Sequence, residues 1–129
     1  MANSEFKSRI EYITHKGQRI MHINHGGVDD LPDVERTRTF FAHARQKIDA
    51  QPLGSIRMLT SMSTQMRFNS ELAALEREFV QANSPYMLKS AVVGATAAMK
   101  AIMATLRFFT GRDIRAFDTE EEALDWLAE

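Results

Sequence analysis

Lys89-Ser90-Ala91-Val92-Val93-Gly94, together with the stretch from Ala95 to Phe109 behind it, decides the fold of this 129-residue chain. A short apolar run without polar alternation is the pattern of a strand covered on both faces, and the glycine at 94 ends it. A nearly charge-free helix of about four turns comes next. Its only charges are Lys100 and Arg107, seven residues apart and so on one narrow stripe, which leaves Met99, Ile102, Met103, Leu106, Phe108 and Phe109 in need of cover. One sheet face hides about half of a helix, so something else must shield the rest. Three neighbours qualify. The first is the other helices of the same layer, above all the one carrying Trp126. The second is a two-fold copy meeting Met99, Met103, Leu106 and Phe108, since methionine and aromatic side chains suit contact patches. The third is an apolar ligand held in a slot lined by Phe40, Phe41, Met58, Met99, Met103 and Phe109.

Upstream of this centre, Ile10 to His15 and Arg19 to Asn24 are rich in strand formers, and Lys16-Gly17-Gln18 between them marks a hairpin. Asp29-Asp30-Leu31-Pro32-Asp33 then supplies carboxylates and a proline where a helix begins. Val34, Thr37, Phe41, Ala44 and Ile48 follow at helical spacing. Pro52-Leu53-Gly54 breaks that helix, and Ser55 to Thr60 reads as a strand. Leu72, Leu75, Phe79 and Ala82 mark one face of the next helix, which Asn83-Ser84-Pro85 stops. Downstream, Ile114 to Phe117 is a short strand, and Thr119 with Glu122 forms a capping box that opens a helix burying Ala123, Leu124, Trp126 and Leu127. The order β-β-α-β-α-β-α-β-α predicts an α/β fold, a mixed sheet with an opening antiparallel hairpin and right-handed crossovers after it. Residues 1–9 read as an N-terminal tail and 10–129 as one domain.

Composition narrows the function. Sixteen Lys and Arg nearly cancel seventeen Asp and Glu, so no field draws the chain to nucleic acid or to an anionic membrane. Without cysteine there is no disulfide, thiol catalysis or cysteine-held zinc. No apolar run reaches the ~18 residues of a membrane span, and Met1 to Ser8 lacks the apolar core of a signal peptide. The expectation is a cytoplasmic protein that inserts in no membrane and carries no cofactor.

The element order, with Glu11-Tyr12-Ile13, Arg19-Ile20, Ala91-Val92-Val93-Gly94 and the closing Phe117-Asp118-Thr119-Glu120-Glu121-Glu122-Ala123-Leu124-Asp125-Trp126-Leu127, resembles the bacterial STAS-like family. Its members are similar to sporulation anti-sigma-factor antagonists, and the resemblance runs from about Ile10 to the C-terminus. It implies a (βα) superhelix of the kind shared with CRAL-TRIO lipid-carrier domains, and activity mainly through binding of protein partners. The antagonists carry a phosphorylatable serine, commonly within Asp-Ser-Ser-Gly, at the head of the helix after the third strand. Here the matching stretch, Thr60-Ser61-Met62-Ser63-Thr64-Gln65-Met66-Arg67-Phe68-Asn69, has hydroxyls without that pattern. Ser61, Ser63 and Thr64 are the positions a regulatory phosphate would take, and also ordinary loop and capping residues.

No catalytic set stands out. A metal reading would join His15, His22, His25, Asp29 and Asp30. His15 and His25 lie at opposite ends of a strand, roughly 20 Å apart, and His22 and His25 point to opposite faces unless the backbone turns between them, which leaves a site of His25 with Asp29 and Asp30. Gly94-Ala95-Thr96 leads into a helix start, where anions bind in many α/β proteins, but it lacks a glycine-rich loop and a suitably placed lysine. No Gly-x-Ser-x-Gly element exists, and His43 falls on a polar helix face. The sequence therefore predicts a non-enzymatic binding or regulatory module acting on an unknown protein partner or as a homodimer. A carrier of a small apolar or lipid-like molecule is the alternative, and an enzyme using His25 with Asp29 or Asp30 and a divalent ion is the third class.

Overall fold

The computed structural model describes residues 10–24, 34–61, 70–95, 97–111 and 113–129. Along the chain come β1 (Ile10–His15), β2 (Gln18–Asn24), α1 (Val34–Asp49), β3 (Ile56–Ser61), α2 (Ser70–Asn83), β4 (Met87–Val93), α3 (Ala97–Thr110), β5 (Ile114–Phe117) and α4 (Glu120–Ala128). This is the order read from the sequence, with shifts at the ends. Lys16 and Gly17 alone form the hairpin loop, both with positive φ (50° and 79°), so Gln18 already belongs to β2 and pairs with His15. A 3-10 turn at Ser84–Tyr86 delivers the chain directly into β4, which therefore starts at Met87 and not at Lys89. At the far end of β4, Gly94 has φ +82°, a left-handed value that a side chain would resist, and the chain leaves the sheet there.

The five strands lie in the order β1-β2-β3-β4-β5. β1 and β2 are antiparallel, and every later pairing is parallel. Because the order never reverses, successive right-handed crossovers place their helices on one side of the sheet. α1 and α2 accordingly bury Ile10, Met21, Ile23, Ile56 and Met58 beneath Phe40, Phe41, Ala44, Ile48, Leu75 and Phe79. The Phe41 and Phe79 rings stack at 4.2 Å where the two helices meet, an aromatic contact that adds to the apolar area it hides. α3 continues this layer, touching α2 and β5.

That arrangement would leave the second face of the sheet bare. α4 returns from the edge strand β5 and crosses it, touching all five strands, and Ala123 and Leu127 close over Ile20, Leu59 and Ala91, all with no solvent exposure. The Trp126 helix is therefore not the cover for α3 that the sequence suggested. It lies on the opposite face, where Ala123 and Leu127 pack on Ile20, Leu59 and Ala91.

β3 shows how α4 is held. Alternation along the strand sends Arg57, Leu59 and Ser61 to the α4 side. Arg57 Nη1 donates to the carbonyl oxygens of Leu127 and, at 3.1 Å, Glu129, while Lys89 Nζ donates to Trp126 O at 3.0 Å and Glu129 O at 3.3 Å. Two cations thus meet the carbonyls at the end of α4, the negative end of its dipole. At the other end Thr119 Oγ1 accepts from Glu122 N at 3.2 Å, and Glu120, Glu121 and Glu122 fill the first turn, the favourable sign for that end of a helix dipole.

Candidate functional site at the carboxyl end of the parallel strands

The same alternation builds a polar cluster under the amino end of α4. In β2, Ile20 faces α4, so His22, two residues on, does as well. Glu11 pairs directly with His22 across the hairpin. Ser61 ends β3 on the Leu59 side, and Glu120 opens α4 above it. Four residues distant in sequence therefore converge. His22 Nε2 lies 2.8 Å from Ser61 Oγ, and Ser61 Oγ donates to Glu120 Oε1 at 3.1 Å. Glu120 Oε1 is 3.9 Å from His22 Nε2, and Glu11 Oε1 is 3.7 Å from His22 Nδ1.

Burial divides the four. The imidazole is only 10% exposed, whereas Glu11 and Glu120 are 62% and 54% exposed and Ser61 is half-buried. The ring is thus held in a dry position between two carboxylates that reach it from the solvent side. While the serine hydroxyl donates to Glu120, its lone pairs can accept from His22 Nε2–H. When it turns, it can donate to an unprotonated Nε2 with Nδ1–H directed at Glu11. The cluster can therefore carry two proton arrangements with little movement of heavy atoms. It also lies at the carboxyl ends of the parallel strands β2 and β3.

The remaining candidates are scattered. Ser63, Thr64, His25, Asp29, Asp30 and Thr96 lie outside the described residues, and among the described residues no three His, Asp or Glu side chains are grouped as metal ligands. His15 sits at the hairpin end and not near His22. Its Nε2 is 2.7 Å from Asp125 Oδ1, and Lys16 Nζ is 3.0 Å from the same oxygen. Those hydrogen bonds, His15 first and Lys16 second, hold the Asp125 carboxyl below its ordinary range. On α3, Met103 is buried at 7% exposure and Phe108 is open at 85%, while the side chains of Met99, Leu106 and Phe109 lie outside the described residues. The exposed positions Ala97, Ala101, Ala104 and Phe108 recur every three or four residues and form one stripe along the outer side of α3. At its end, Ala104, Arg107, Phe108 and Gly111 line an open hollow of about 440 Å³. Phe40, Phe41 and Met58, expected in an apolar slot, pack instead into the core beneath α1 and α2. A groove of about 210 Å³ does open between those helices, with Phe41, Leu75 and Phe79 in its wall and Arg38, Arg45 and Glu78 beside them.

Of the site residues, the sequence singled out Ser61 as a hydroxyl and considered His22 as a metal ligand. Glu11 and Glu120 were missed, because Glu11 meets His22 only in the register of the two-residue loop, and the turn read from the sequence was one residue longer.

Comparison with known proteins agrees with the fold. A family model described as SpoIIAA-like matches residues 28–128. The chain is also similar, at 12% identity and a TM-score of 0.66, to the crystal structure of an uncharacterised DUF3478-family protein with a SpoIIAA-like fold from Shewanella loihica PV-4, with 92% of this chain and 91% of that chain covered. A search of curated proteins returned no match. Among the described residues no helix is long and apolar enough to cross a membrane.

Proposed function

Because the chain belongs to the SpoIIAA-like family, we propose that it is a non-enzymatic binding and regulatory module of the cytoplasm that works through protein contacts, with the outer stripe of α3 as the contact face and a second copy of the chain as its first partner. Members of such STAS-like families are often regulatory protein-binding modules. The observation that carries the proposal here is Phe108, a large aromatic side chain 85% exposed at the end of the Ala97, Ala101, Ala104 stripe. Small residues let another backbone approach closely, and an aromatic ring at the end of the stripe gives an interface its anchor. Sedimentation velocity over a dilution series tests this directly. The wild-type chain is expected to self-associate and Phe108→Asp to remain monomeric, and a monomeric wild type would overturn the contact face.

The regulatory half of the proposal rests on Ser61, Ser63 and Thr64, of which Ser61 has a described environment. A phosphate on its Oγ would add a dianion beside Glu120 and close to Glu11, and like charges at that distance would loosen the amino end of α4. Ser61→Glu is expected to speed amide exchange in α4 while Ser61→Ala leaves it near wild type. Equal protection in all three proteins would count against the idea.

The groove between α1 and α2 supports a second reading, a carrier of a small apolar molecule. Its 210 Å³ is below the ~300 Å³ at which drug-sized sites begin, so the cargo would be small. A fatty or aromatic compound retained through purification and seen by native mass spectrometry would favour this reading over the first.

A further inference from the structure

We propose that Ser61 is an acyl acceptor, activated by His22, that takes an acyl group from neutral activated esters. The 2.8 Å separation of Ser61 Oγ and His22 Nε2 lies within the ~2.6–3.2 Å reach of a nucleophile and its general base. A third group faces the other ring nitrogen. Glu11 Oε1 stands 3.7 Å from Nδ1, and hairpin register places that residue directly opposite His22. Its side chain is mostly exposed and free to swing the remaining distance, which would hold the ring with Nδ1–H toward the carboxylate and the Nε2 lone pair toward Ser61.

Glu120 sets both the resting state and the class of donor. By accepting the serine hydroxyl at 3.1 Å it draws that proton away from His22, so the nucleophile rests unactivated. Two carboxylates, Glu11 and Glu120, flank the hydroxyl and its base, so phosphate-bearing or carboxylate-bearing donors are repelled and an uncharged ester is favoured. The amino end of α4 lies one glutamate side chain from Ser61. The first hydrogen bond of the ladder there is Ala123 N to Thr119 O, so the amides of Glu120 and Glu121 precede it at the positive end of α4, which offsets part of the negative charge of the two carboxylates.

In the step itself, Ser61 Oγ bonds to the ester carbonyl carbon while the ester carbon–oxygen bond breaks. The hydroxyl proton passes to His22 Nε2 and from there to the departing alkoxide. The products are an acyl ester of Ser61 and the free alcohol, and no other reactant is consumed. Acylation would cap the hydroxyl and release Glu120 from it, a modification that needs no partner enzyme.

This inference rests on Ser61 as the regulated hydroxyl, and it is tested with the purified full chain and p-nitrophenyl acetate, by p-nitrophenol release and peptide mapping. One acetyl group per chain is expected on Ser61, none on that peptide in Ser61→Ala, and roughly hundredfold slower labelling in His22→Gln. Glu120→Ala is expected to label faster than wild type. Acetyl found only on other residues, or a His22→Gln protein that melts normally and labels at the wild-type rate, overturns the inference. Ser61 is half-buried and its alanine variant conserves most of the volume, so the mapped site stays decisive even where the buried His22 tolerates no change. Absence of acetyl on Ser61 alongside faster α4 exchange in Ser61→Glu would overturn acyl transfer and leave the regulatory role of Ser61 standing.

Discussion

Replacing Phe108 by Asp separates a contact residue from a core residue on the same helix. The ring is 85% exposed in the folded chain, so its removal gives up little buried apolar area. The expected cost to folding is about 0.5–1 kcal/mol, from an altered surface and a carboxylate near the negative end of α3. Across a two-fold interface the arithmetic differs, because each copy contributes one ring. Burying a phenylalanine contributes about 2 kcal/mol, and two give about 4 kcal/mol. At ~1.4 kcal/mol per decade that is nearly three orders of magnitude in dissociation constant, enough to turn a micromolar dimer into a millimolar one. Met103, buried at 7% exposure five residues earlier on the same helix, supplies the contrast. Met103→Ala should cost about 2–5 kcal/mol of stability through a cavity and lost burial. The assay pairs sedimentation velocity with thermal melting of wild type, Phe108→Asp and Met103→Ala. The contact role is refuted by a wild type that stays monomeric up to hundreds of micromolar, or by a Phe108→Asp protein that melts as early as Met103→Ala, since that ring would then belong to the core.

Three further perturbations test the framework around the site. Leu127→Ala should lower stability by about 3 kcal/mol in urea unfolding, because Leu127 is fully buried against Ile20 and Leu59 and α4 covers that face of the sheet. Thr119→Ala should cost about 1 kcal/mol, and Thr119→Ser much less, since the hydroxyl accepts from Glu122 N; equal losses in both would remove the capping argument. Asp125→Asn should flatten the acid limb of the stability curve. The His15 and then the Lys16 hydrogen bonds place the folded-state pKa of Asp125 below its ordinary 3.8, so in that window the unfolded chain binds more protons. The contribution is present above 3.8 and lost as pH falls through the folded value. Parallel acid limbs for wild type and variant would show that the carboxyl is not so held.

Local chemistry was enough to place most elements. Lys16-Gly17-Gln18 between two strand-forming runs marked the hairpin, one residue longer than the loop that forms, and Thr119 with Glu122 marked the start of α4 to the residue. Ile114 to Phe117 was likewise bounded correctly. Errors came where neighbours decide: β4 begins at Met87, two residues before the run that the sequence marked, because β3 offers a parallel partner there. The site was legible only in part. Ser61 could be named as a hydroxyl near a strand end, but its meeting with His22, Glu11 and Glu120 depends on three separate long-range facts. These are the hairpin register, the parallel register of β2 on β3, and the return of α4 across the second face.

Period, capping signals and turn residues are properties of a few consecutive amino acids, so the sequence alone determined the element order, the class of fold and the excess of apolar surface on α3. Which face α4 covers, and which distant polar groups share a hydrogen bond with Ser61, were decided only by the tertiary structure. Strand order and register are set by the free energy of burying the whole sheet, and no short stretch of chain encodes that sum.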